Sequence, residues 1–182
     1  MADIIIIHGA YGSPEENWVP WLRQRLESQG NRVFVPGFPT PEDQTLENWL
    51  AVFDDYAGYM GEDTILIGHS LGAAFILTVL EKHPAKAAFL VAGFAQPLGI
   101  RRFDCINRTF VEKDFDWKDI KDNCSNFCLL HSDDDPYVSL EKAKFLADKL
   151  GKKLIVVEGA GHFNKNSGYE RFDLLLGMVK SL

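Results

Sequence analysis

Six short apolar runs recur along the chain, and stretches with helical spacing lie between most of them. The runs are Ile4 to Ile7, Arg32 to Val35, Thr64 to Ile67, Ala87 to Ala92, Asn126 to Leu130 and Lys153 to Val157. The first is a continuous β-branched run, too short for a helix and suited to a strand covered on both faces. Such runs alternating with helices predict βαβ units and a mostly parallel sheet with helices on both sides. The expected helices are Trp18 to Ser28, Leu46 to Met60, Leu71 to Lys82, Leu140 to Leu150 and Tyr169 to Leu182. Gly30 and Gly151 read as helix stops, and Ser139 as an N-cap. The stretch from Phe94 to Ser125 is the least regular. It predicts one or two short helices, one from Trp117 to Asp122 behind an Asp116 cap.

With 182 residues, 46% hydrophobic and 25% charged, the chain has the size and composition of one globular domain spanning residues 1–182. Its formal net charge of -7 argues against nucleic acid or an anionic membrane as the main partner, since both require a positive footprint. No apolar stretch approaches the ~20 residues of a membrane span, and no basic leader precedes Ile4. The expected location is therefore the cytoplasm. Three unevenly spaced cysteines, Cys105, Cys124 and Cys128, do not make a disulfide framework or a common zinc pattern.

Between the third run and the helix after it stands Gly68-His69-Ser70-Leu71-Gly72. A G-x-S-x-G string there turns the chain so sharply that the serine oxygen is left exposed at a helix N-terminus. Glycines on either side leave room for that turn. The helix dipole and its free amides favour negative charge developing beside the serine. Ser70 is the candidate nucleophile. His162, in Gly159-Ala160-Gly161-His162-Phe163 after the sixth run, is the candidate base. Loops leaving the carboxyl ends of parallel strands share one sheet edge, so it can reach Ser70. An acid to orient that histidine is expected after the fifth run, where Asp133, Asp134 and Asp135 compete; those not used are read as Asx-type turn caps.

Two amides are needed to hold an oxyanion. One is expected from Leu71 and the other from Ala10 or Tyr11 in the loop after the first run. His8, Gly9, His69, Phe94 and Phe163 are expected around the substrate, the two histidines by ordering loops rather than by moving protons. Of the aromatics between Phe94 and Trp117, most are expected in the core and a few against a pocket. No metal or organic cofactor is implied.

These motifs, with Asn17-Trp18, Pro36 to Pro41, Leu46 to Leu50 and Val91 to Ala95, resemble the small serine hydrolases typified by YdeN and retinoblastoma-binding protein 9. The order serine, aspartate, histidine is also that of α/β-hydrolases. The resemblance implies a compact three-layer α/β-hydrolase fold without a large lid. It implies Asp135 as the acid, three residues before Val138, although the run of three aspartates exceeds the family's usual pair. It further implies a carboxylesterase-like hydrolase that cleaves ester or amide acyl bonds of a small molecule through an acyl-enzyme. Acyl transfer to an acceptor other than water is an alternative. So is a protein-binding role on a hydrolase scaffold, which an intact set of three residues disfavours.

Overall fold

The computed structural model describes residues 1–182 and contains one sheet of six strands, all paired in parallel, in the order β2-β1-β3-β4-β5-β6. The strands are β1 (Asp3–Ile7), β2 (Arg32–Phe34), β3 (Gly61–His69), β4 (Ala85–Val91), β5 (Phe127–Ser132) and β6 (Leu154–Val157). The helices are α1 (Val19–Glu27), α2 (Leu46–Ala57), α3 (Leu71–Leu80), α4 (Arg101–Val111), α5 (Trp117–Asn123), α6 (Leu140–Leu150) and α7 (Asp173–Lys180). This is the three-layer α/β-hydrolase architecture without a large lid.

Period-two alternation explains why residues 4 to 7 of β1 are all isoleucine. Ile5 and Ile7 enter the core under α2 to α6, while Ile4 and Ile6 enter the second core under α1 and α7. Helix α3, the central one, is buried along its whole length and therefore carries no polar stripe. Asp116 caps α5 by accepting from the amides of Lys118 and Asp119, and Gly151 ends α6 in the left-handed conformation. Ser139 stands at the N-cap of α6, but its side chain makes no capping bond. No helix is long and apolar enough to cross a membrane.

The stretch from Phe94 to Ser125 holds two helices, within the one or two expected, and the last helix starts later than expected. Helix α4 occupies eleven residues of the irregular stretch. Its N-cap is Ile100, which offers no capping oxygen, so no start signal marks it. Instead, Asp104 reaches back from the first turn to accept from the amides of Leu98 and Gly99. The last helix begins at Asp173 rather than Tyr169, because Lys165–Ser167 forms a 3₁₀ turn and Tyr169 and Phe172 pack with Phe163.

The chain crosses from β1 outward to β2 and then returns to place β3 on β1's other side. Ligand crevices of open α/β sheets form where the order reverses like this, beyond the carboxyl ends of the strands. The Gly9 loop after β1 and Ser70 after β3 meet at that position.

Candidate active site

Ser70 joins β3 to α3 with φ 55° and ψ −118°, a backbone region costing about 1–3 kcal/mol for a residue other than glycine. Its amide donates to Val91 O at 2.8 Å, and its carbonyl accepts from Ala73 N at 3.0 Å. Close approach makes the flanking glycines necessary. A Cβ on Gly68 would lie 2.7 Å from Ala73 N, and one on Gly72 would run into the carbonyl oxygens of Ile7 and His8. The residues between Gly68 and Gly72 thus form a sharp strand-to-helix elbow against the end of β1.

His162 is buried, on the loop after β6, with its Nδ1 2.7 Å from Asp135 Oδ2. The other carboxylate oxygen of Asp135 accepts from the amides of Tyr137 (2.9 Å) and Val138 (3.1 Å), and its side chain is fully buried. Burial alone would raise this carboxyl. The His162 hydrogen bond and charge, with the two amides, outweigh it and hold the group below the usual carboxylate range. With Nδ1–H committed to the carboxylate, Nε2 is the ring atom left to accept a proton. Ser70 and His162 line the same cavity. No hydrogen bond joins them in this conformation; such bonds often tighten only when substrate is bound.

The neighbouring aspartates do something other than cap their own turn. Ser132 Oγ, Asp133 Oδ1 and Asp134 Oδ1 accept from Ala160 N (2.9 Å), Gly159 N (2.8 Å) and Gly161 N (2.7 Å). Three successive amides of the loop before His162 are thereby anchored to the end of β5. Asp134 is held below its ordinary pKa by the Ser132 hydroxyl and the Gly161 amide.

Around Ser70, the Tyr11 amide is already donated to Thr40 Oγ1 at 2.7 Å, whereas the Ala10 amide bonds to nothing within the chain. The amide of Leu71 lies in the first turn of α3, where helical N–H groups have no partner four residues back. Gly9 and His69 line the cavity. His69 Nε2 donates to His162 O at 2.8 Å, and burial, reinforced by the nearby His162 ring, pushes its pKa down to about 3, so it stays neutral.

Three expected substrate neighbours lie elsewhere. His8 is buried behind the loop: its Nε2 accepts from Phe38 N, and its Nδ1–H donates to Gly9 O. Desolvation lowers its pKa. Phe94 and Phe163 are fully buried, one in each core, where aromatic area is worth more than at a wet pocket wall. The aromatic side chains lining the cavity are instead Tyr11, Phe103 and Tyr137, with Tyr137 edge-on to the His162 ring at 5.0 Å. Asn107 lines it too, and nothing in the sequence pattern separated this residue from an exposed helix position. The cavity is about 520 Å³, within the range of small-molecule sites. No group of three His, Cys, Asp or Glu side chains is arranged to hold a metal ion.

A parallel doubly covered sheet with a serine on its central elbow defines an α/β-hydrolase. Residues 4–181 match the serine hydrolase family, and the chain belongs to it. It is 30% identical to YdeN of Bacillus subtilis (strain 168), over 98% of this chain and 94% of that protein. It is also 30% identical to the serine hydrolase RBBP9 of Rattus norvegicus, over 91% and 86% of the two chains. The crystal structure of the B. subtilis ydeN gene product superposes with a TM-score of 0.91 at 29% identity, covering 100% of this chain and 98% of that one. Est1E of Butyrivibrio proteoclasticus, a structure with ferulic acid bound, shares the fold at a TM-score of 0.71 and 19% identity, over 100% and 86%.

Proposed function

We propose that this serine hydrolase cleaves acyl esters or amides through a covalent acyl-enzyme on Ser70. The observation that carries the reading is the His162–Asp135 pair, with its unpaired ring nitrogen, in the same cavity as an elbow serine. As substrate enters, His162 Nε2 takes the Ser70 hydroxyl proton and Oγ attacks the carbonyl carbon. Asp135 holds the ring in the required tautomer and stabilises the imidazolium. The amides of Leu71 and Ala10 receive the oxyanion; Tyr11 is set aside because its amide is already engaged by Thr40. The tetrahedral adduct collapses, the leaving group takes the proton from His162, and a water activated by the same ring releases the acid. The size of the cavity and the absence of a large lid support a small-molecule substrate.

Fluorophosphonate labelling tests this directly. Wild type is expected to label and Ser70→Ala to remain unlabelled. An unlabelled wild type, or equal labelling of both, sinks the proposal.

A further inference from the structure

Asn107, on the cavity-facing side of α4, is 2% exposed. Its amide orientation follows from a chain of hydrogen bonds with only one consistent direction. The Tyr11 amide donates to Thr40 Oγ1, which keeps a second lone pair, so the direction is set by Ile106 O: the Gln44 atom beside it must be Nε2, and Oε1 takes the Thr40 proton. That Nε2 lies 3.0 Å from Ile106 O, which can only accept, and 2.9 Å from Asn107. The Asn107 atom facing Gln44 is therefore Oδ1, and Nδ2 is turned the other way. Nδ2 has no partner in the protein, and it is not sealed: His131 Nδ1 is the one buried side-chain polar atom without a partner. A nearly buried residue that lines the cavity holding Ser70 thus carries unpartnered amide N–H groups.

A donor kept this way costs stability unless something accepts from it. We propose that Asn107 is a specificity residue whose Nδ2 donates to a second, uncharged oxygen of the substrate, separate from the scissile carbonyl. The charges nearby select against a carboxylate in that position. Glu15, Glu16 and Glu170 line the cavity against one lysine, Lys165, whose ammonium is paired with Glu170 at 2.9 Å. The substrate class is then an ester or amide that carries an additional amide, ether or hydroxyl oxygen on its acyl or alcohol portion. This inference rests on the acyl-hydrolase reading.

Two substrate pairs of matched shape test it, one for each side of the scissile bond. The first is p-nitrophenyl N-acetylglycinate against p-nitrophenyl pentanoate; the second is methoxyethyl acetate against butyl acetate. Rates are divided by those of hydroxide-catalysed hydrolysis, and kcat/KM ratios are compared within each enzyme. Wild type is expected to favour the oxygen-bearing member of at least one pair by about tenfold or more. Asn107→Asp keeps an acceptor for Gln44 and removes the donor. Asn107→Leu removes both without adding charge. Each is expected to bring the ratio close to one. A wild type that hydrolyses both members of both pairs equally, or a preference unchanged in the variant that folds, overturns the assignment and leaves the hydrolase reading intact. Absence of Ser70-dependent turnover of all four esters overturns the assignment, and if wild type also fails to take the fluorophosphonate label it overturns the hydrolase reading itself.

Discussion

The ring of His69 donates from Nε2 to the backbone carbonyl of His162 at 2.8 Å, so the residue preceding the elbow serine holds the loop that carries the opposing histidine. Burial, not the bond, keeps this ring neutral, and the same burial makes the protein sensitive to acid.

His69, with its pKa near 3, stays neutral in the fold, and burial also lowers His8 and His131, whereas in the unfolded chain each protonates near 6.5. As pH falls below that value the unfolded state binds protons that the native state does not. Stability is therefore lost from about pH 6.5 downward, continuing for His69 to about pH 3. Each proton bound by the unfolded chain and not by the native state costs at most about 1.4 kcal/mol per pH unit. Asp135, lowered in the same sense, adds to the loss only below the ordinary carboxylate value of 3.8. Urea unfolding at pH 7.5, 5.5 and 4.5 is expected to show falling stability, with a slope smaller by about one proton in His69→Gln. Equal slopes in the two proteins would contradict the neutral assignment.

Asp135 accepts from His162 and from two backbone amides at once, so its replacement should disturb tautomer more than structure. Asp135→Asn is expected to fold, and to lower kcat for a simple ester by roughly 10⁴. A loss under tenfold would show that another group orients His162.

Removing one anchor of the His162 loop should act on rate through position alone. Asp134→Ala deletes the acceptor of the Gly161 amide, while Asp134→Asn retains an oxygen there. The alanine variant is expected to lose about tenfold in kcat with KM little changed, within the hundredfold that an ångström-scale displacement can cost. Recovery to near wild type in Asp134→Asn distinguishes positioning from a charge effect.

The elbow sets a steric limit on Gly72. In Gly72→Ala the added methyl would meet the carbonyl oxygens of Ile7 and His8, backbone atoms that cannot turn aside. Either α3 lifts from β1 or β1 shifts, at a cost of about 3 kcal/mol or more. A thermal melt of this variant should show a drop of many degrees or no folded baseline; a melting temperature within a few degrees of wild type would mean the elbow relaxes freely.

What the sequence determined by itself is what local pattern encodes. The isoleucine run of β1, the glycine-bracketed turn at Ser70 and the Asp116 and Gly151 caps each depend on residues within a turn or a strand of one another, and all six strands were legible for that reason. Positions decided by contacts between distant segments were not. Phe94 and Phe163 look like pocket aromatics beside their motifs, yet the layers above and below the sheet enclose them. Asp133 and Asp134 look like caps of their own turn until β6 pairs with β5 and brings the amides of 159–161 within reach. The choice between Ala10 and Tyr11 turns on Thr40, 29 residues beyond Tyr11, and the orientation of Asn107 on Gln44, 63 residues before it. A hydrogen bond needs its partner within about 3 Å. Sequence spacing carries no such distance once the chain has crossed from one strand to the next, and only the packed sheet supplies it.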